Sequence, residues 1–220
     1  MNPNRAAHIS KRSQVQIYDA ILFDFDGVLA DTEPIHFACW RELLTPYGID
    51  LTWQFYVSQC VGVSDREMVN VLRLLAKPNV ELEKLWAEYP KKKELFSCKA
   101  AARPPISDET VNLIKSLSNY KLAVVSSSGR SEVEPILKRA GILDQFGSLV
   151  FGGDVTNCKP HPEPYLRAAS ELSAQRSLVV EDSEAGAASG GSAGFDVLKL
   201  DNPVNLTALL DANGIGRNRF

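Results

Sequence analysis

Five short runs in this chain are apolar at nearly every position and stop abruptly at polar residues. They are residues 20–25 (AILFDF), 122–125 (LAVV), 149–151, 178–180 and the weaker 197–200. A strand that is apolar on both faces has to be covered on both faces, which is the condition of a parallel sheet between helical layers. The intervening segments carry helical periods. Ser107 is placed to cap a helix to about Leu117, with Val111, Ile114 and Leu117 on one face. Residues 132–140, 163–172, 185–193 and 206–210 give the others. Strands alternating with helices predict an α/β fold, a doubly wound, Rossmann-like parallel sheet. Its ligands would sit at the carboxyl ends of the strands.

Residues 34–103 break the alternation. They hold little strand signal and helical patterns at 35–44, 65–75 and 80–96. Such a stretch is too long for one crossover helix, so a helical cap inserted after the first strand is expected. The α/β core then comprises 19–33 and 104–220, residues 1–18 form a flexible basic tail, and 100–105 (AAARPP) form the return linker. The linker and the loop at 27–32 are the hinge candidates for cap movement.

The remaining composition narrows the function classes. Twenty-four Lys and Arg against 27 Asp and Glu leave a net charge of -3, which argues against a nucleic-acid partner. No apolar run approaches the roughly 18 residues of a membrane span, and the N-terminal segment lacks the apolar stretch of a secretory signal. The four cysteines form no CxxC pair, so reduced thiols in a cytoplasmic protein are expected rather than structural zinc. No long unpaired apolar face is evident, so a monomer is the default.

The polar residues that end the runs carry the chemistry. Asp24 and Asp26 follow the first strand and would share a face were it to continue, and Gly27 then permits a sharp turn. Two carboxylates so close repel unless a proton or cation lies between them. Glu181 and Asp182 end the fourth run, and oxygen ligands of this kind suit Mg²⁺. Ser126 and Ser127 end the second run before Gly129 and a helix start, a good arrangement for phosphate. Lys159 stands after the third run, where its charge would offset what a metal leaves uncompensated. Each feature alone is commonplace: a lone DxD, an SSSG turn, a Lys-Pro loop. Four polar clusters following four strands is a far more demanding coincidence.

In that order, DFDGVLADT (24–32), VVSSSGR (124–130), KPHPEPY (159–165) and VVEDSEAG (179–186) resemble the four motifs of the haloacid-dehalogenase-like phosphohydrolase superfamily. The likeness runs from about residue 18 to 201 and lies closest to the branch with β-phosphoglucomutase and small sugar-phosphate phosphatases. The resemblance implies that Asp24 is a nucleophile forming an aspartyl-phosphate, and that Asp26 is the general acid and base. It implies Asp24, the Asp26 carbonyl and Asp182 as Mg²⁺ ligands, with Glu181 in or beside the shell. Ser126, Ser127 and Lys159 would hold the phosphoryl group.

For the cap, the resemblance places Thr32 at the hinge and His36 and Trp40, spaced i,i+4, near the substrate; a packed core pair is the plain alternative. Gly62, Val63 and Ser64 match the start of the mutase's loop GVSR, but this chain reads GVSDR. The arginine that would hold a distal phosphate is displaced to Arg66, and Asp65 takes its place. Lys92, within the run Lys91–Lys93, matches a substrate-facing cap lysine, against the plain reading of a solvated helix face. A Mg²⁺-dependent phosphatase acting on a small phosphorylated metabolite, a sugar or polyol phosphate, is the expectation. A β-phosphoglucomutase-type phosphotransferase is the alternative, and a non-catalytic binding protein is a third class.

Overall fold

The computed structural model describes residues 17–61, 63 and 65–215. The tail expected at 1–18 falls almost wholly outside them, as do Gly62 and Ser64. Five parallel strands form one sheet: β1 (Ala20–Phe23), β2 (Lys121–Ser126), β3 (Ser148–Phe151), β4 (Ser177–Glu181) and β5 (Asp196–Lys199), in the order β3-β2-β1-β4-β5. Each matches one of the apolar runs. Side chains alternate between faces. Ile21, Phe23, Leu122, Val124, Leu178 and Val180 join one apolar cluster, and Ala20, Leu22, Ala123, Val125 and Val179 join another on the opposite face.

Helices α1 (Glu33–Leu44), α2 (Trp53–Gln59), α3 (Asp65–Leu72), α4 (Leu82–Trp86) and α5 (Tyr89–Ala102) lie between β1 and β2. After β2 come α7 (Arg130–Arg139), α8 (Glu163–Glu171), α9 (Glu184–Ser192) and α10 (Leu206–Ala212); α6 (Asp108–Ser116) precedes it. The first sheet face packs on Leu113, Ile114 and Leu117 at α6, on Val133, Ile136 and Leu137 of α7, and on Leu206 and Leu210 of α10. The second packs on Tyr165, Ala168 and Ala169 of α8. Ser107 caps α6 as its spacing predicts, accepting from Thr110 N at 3.0 Å.

The insert has its own core, built from Trp40, Leu44, Ile49, Leu51, Tyr56, Met68, Val69, Leu72 and Leu85. Its two ends do not belong to that core alone. Cys39, Phe96 and Ala100 pack into the sheet-side cluster, so α1 and α5 reach both cores. Asp31 N donates to Pro105 O at 2.9 Å, tying the outgoing and returning segments together.

Three local expectations need correction. The expected helix at 80–96 is two, because Pro90 lacks an amide hydrogen and fits the first turn of α5 but not the interior of a longer helix. Residues 100–102, read as linker, are the last turn of α5: alanine is the strongest helix former, and Ala100 is wholly buried. The strand expected over 20–25 ends sooner: β1 stops at Phe23, before both aspartates. The chain then turns, with Phe25 O accepting from Leu29 N and Ala30 N, and Gly27 adopts φ +76°.

Candidate active site

The carboxyl ends of β1, β2 and β4 and the loop after β3 converge beside the point where strand order reverses, the usual location for a site in such sheets. Lys159 is at the centre. Its Nζ donates to Asp24 Oδ1 at 2.6 Å, to Glu181 Oε1 at 2.6 Å and to Val125 O at 2.8 Å. Three acceptors satisfy all three ammonium hydrogens. Burial works against the charge of Lys159, but Asp24 and Glu181 outweigh it and raise its pKa.

Glu181 is wholly buried and fully engaged. Its Oε1 accepts from Lys159 and from the Tyr165 hydroxyl at 2.8 Å; its Oε2 accepts from Asp182 N, Ser183 N and Ser183 Oγ. Burial would raise its pKa, but Lys159 and Tyr165 hold it below the usual value. Asp24 differs. Burial, with help from Glu181 and Asp26, pushes its carboxyl up to about 8 against the pull of Lys159. Burial and then Glu181 push Asp182 up to about 6.

Asp26 sits among hydroxyls. Thr32 Oγ1 donates to Oδ1 at 2.7 Å, while Ser128 Oγ at 2.8 Å and Ser126 Oγ at 3.3 Å donate to Oδ2. A hydroxyl accepts as readily as it donates once rotated, so this holder serves a carboxyl group with or without its proton. That is what a group exchanging protons with substrate requires.

Asp24, Glu181 and Asp182 each offer an oxygen within 4.8 Å of the others. These hard oxygen donors fit Mg²⁺ in kind. The packing preserves their approach. A Cβ on Gly27 would lie 2.0 Å from Asp182 Oδ2, and one on Gly186 would lie 1.7 Å from Glu181 Oε1. The loop at 27 and the start of α9 therefore need bare backbone.

Beside Asp26 opens a cavity of about 350 Å³, within the size range of small-molecule sites. The sheet side contributes Ser127, Ser128, Gly129 and Glu132; the insert contributes Glu33, His36, Trp40, Tyr56, Asp65, Tyr89, Lys92 and Lys93, among others. Thus His36, Trp40, Lys92 and Ser127 share one space; Thr32 does not line it and is linked to it only through Asp26 and Ser128. Arg66 is not among the lining residues: it pairs with Glu83 and stacks over Trp86. Asp65 lines the cavity instead, accepting from the Tyr89 hydroxyl at 2.5 Å.

His36 stacks on Phe96 at 4.2 Å, and burial, then Lys92, lower its pKa to about 3. Lys92 is 3% exposed, not solvated, its charge set over the rings of Phe96 and Tyr89. Burial lowers its pKa against the pull of Asp65 and Glu132.

Sequence reasoning passed over three residues. Tyr165 reads as one apolar position of α8, yet its hydroxyl completes the shell of Glu181. Ser128 is hidden in a serine run, and Glu33 in an ordinary helix start. The position of Ser128 two residues after Ser126, at the same strand end, was the available signal.

Comparison with known proteins agrees with this geometry. A family model described as haloacid dehalogenase-like hydrolase matches residues 21–200. A phosphorylated carbohydrates phosphatase of Thermotoga maritima is 33% identical over 181 residues, covering 81% of this chain and 82% of that protein. A fructose-1-phosphate phosphatase of Escherichia coli is 25% identical over 187 residues, covering 83% of this chain and 96% of that protein. Among solved structures, a β-phosphoglucomutase from Clostridium difficile superposes with a TM-score of 0.63 at 27% identity, covering 86% of this chain and 87% of the other.

Proposed function

The chain belongs to the haloacid dehalogenase-like hydrolase family and is a phosphohydrolase; from that premise we propose that it is a Mg²⁺-dependent phosphatase of small sugar or polyol phosphates. One observation carries the reading: a buried lysine bridges Asp24 to Glu181, while Asp26 stands in a separate hydroxyl holder. Such an arrangement provides two aspartates with different tasks.

Asp24 attacks phosphorus, and the bond to the leaving alcohol breaks, giving an aspartyl-phosphate. Asp26 gives the departing alkoxide a proton, then takes one from the water that hydrolyses the intermediate. Thr32 and Ser128 rotate as the proton leaves and returns. Lys159, Ser126 and the backbone at Ser127 balance charge on the phosphoryl oxygens. Asp24, Asp182 and the Asp26 carbonyl would hold Mg²⁺, with Glu181 beside them and its oxygens already taken by protein donors. The metal, when bound, neutralises phosphoryl charge so that one anion can attack another.

The mutase alternative calls for a cation to hold a second phosphate. Asp65 faces the cavity and Arg66 pairs elsewhere, which supports water as the acceptor. The test is ³¹P NMR of the Mg²⁺-loaded protein with glucose 1- and 6-phosphates and a trace of the 1,6-bisphosphate. Free phosphate that stops on adding EDTA is the expected product. Interconversion of the two monophosphates with little free phosphate would overturn the phosphatase reading in favour of the mutase.

A further inference from the structure

We propose that Glu33 and Asp65 make this enzyme selective for phosphate esters whose alcohol is uncharged and rich in hydroxyls, and that they reject alcohols carrying a carboxylate or a second phosphate. The inference rests on the phosphatase reading and concerns the part of the substrate that leaves.

The cavity wall contains three carboxylates, Glu33, Asp65 and Glu132, against two lysines. Glu132 is paired with Lys93 at 3.5 Å and accepts from Gly129 N at 3.1 Å, so it faces its own partners. Glu33 and Asp65 have no ion pair within 4 Å among the described residues. Each instead accepts one tyrosine hydroxyl, Tyr56 at 2.7 Å and Tyr89 at 2.5 Å. A tyrosine hydroxyl fixes a carboxylate in place without the opposite charge an ion pair would bring; at Glu33 burial raises the pKa against the pull of that hydrogen bond. Two oxygens of a carboxylate take up to about four donors, so both groups retain capacity for hydroxyls of a ligand.

Donors occur on the same wall. Trp40 is wholly buried, lines the cavity, and its Nε1–H has no hydrogen-bond partner among the described residues. His36 Nδ1, a donor or an acceptor according to tautomer, is likewise buried and without a partner among the described residues. An unmade hydrogen bond of this kind is costly unless a ligand completes it. Lys92 adds an ammonium group on the same wall. A ligand that meets fixed acceptors and fixed donors within one small space must do both at once. Hydroxyl groups do; carboxylates and phosphates only accept. An anionic leaving group would set like charges together at Glu33 and Asp65, and Lys92 offers the only cation of the wall not already paired among the described residues.

The position of Glu33 also places this discrimination near the chemistry. It follows Thr32, which donates to Asp26, and Ser128 lines the cavity while donating to the same aspartate. The leaving alcohol must therefore lie between the acid/base group and the acidic wall.

The test uses matched pairs that differ by one charged group: glucitol 6-phosphate against gluconate 6-phosphate, and 2-hydroxyethyl phosphate against phosphoglycolate. Acetyl phosphate, which carries no reading group, reports the phosphotransfer step alone. We expect kcat/KM to favour the neutral member of each pair by about tenfold or more. Asp65→Asn and Glu33→Gln should each shrink that ratio severalfold, chiefly by lowering KM for the acid. Equal or better turnover of the acids by the natural protein would overturn the inference while leaving the phosphatase reading intact. So would ratios unmoved in both variants, provided each keeps the natural circular dichroism spectrum and melting temperature. Failure to hydrolyse acetyl phosphate with Mg²⁺ present would instead defeat the phosphatase reading on which the inference stands.

Discussion

On the sheet side of the cleft, both oxygens of Glu181 and both of Asp26 carry hydrogen bonds, and Lys159 has three acceptors. On the helical side, Nδ1 of His36 and Nε1 of Trp40 are buried with none among the described residues. Around Lys159 the chain thus satisfies most of its polar groups internally, whereas two buried nitrogens of the cavity wall are left without a partner among the described residues, on the side where the proposed substrate would lie. Preorganised charge needs no rearrangement during reaction. A recognition surface gains only from bonds that the ligand itself supplies.

The sharpest way to break this comparison is Asp24→Asn. The amide is nearly isosteric but a poor nucleophile, so kcat should fall by roughly 10⁴-fold or more with the melting temperature little changed. Retained turnover in a stopped-flow assay would remove Asp24 from its role. Next in size, Gly186→Ala forces a methyl group onto the Glu181 carboxylate. We expect a loss of about 1–3 kcal/mol by urea unfolding, with kcat falling as Lys159 loses its second anchor. An unchanged variant would show that the sheet side is less tightly built than its hydrogen bonds imply.

The helical side makes a pH prediction. His36 has a folded pKa lowered to about 3, so the folded protein stays neutral there while the unfolded chain takes up a proton below about pH 6.5. The unfolded state binds more protons, and stability therefore falls as the pH drops from 6.5 towards 3. The contribution is about 1.4 kcal/mol per pH unit at most. Chemical denaturation at pH 7 and pH 5.5 should show a smaller difference in His36→Phe, which keeps the stack on Phe96. Last, Arg66→Ala removes an exposed pair with Glu83 and should cost under about 1 kcal/mol and change KM less than twofold. A tenfold rise in KM would return Arg66 to the substrate.

The sheet was legible because burial on both faces writes itself as uninterrupted apolar residues, and each run located a strand to within about two residues. The convergence of Asp24, Asp26, Ser126, Lys159 and Glu181 was legible because strand ends are marked by an abrupt change to polar residues. The insert was harder. Helix α2 escaped notice since WQFYVSQ is rich in aromatic and β-branched residues and too short for a clear period. Tyr165 read as core, and Trp40 fitted a core position as well as one near the substrate; both are wholly buried. What marks them is a single polar atom at the tip, which no pattern of hydrophobicity records.

The position of β1 in the middle of the sheet has a consequence for synthesis. Ala20 pairs with Lys121 on one side and with Ser177 on the other. At the usual pace of translation, roughly ten to thirty seconds separate the emergence of β1 from that of β4. During that interval an apolar strand leaves the ribosome with no neighbour on at least one edge, while the helical insert can already bury its own core. The segment that carries the proposed nucleophile is thus made first and completed late, and a nascent chain of this design should be most vulnerable to aggregation before residue 177 is released.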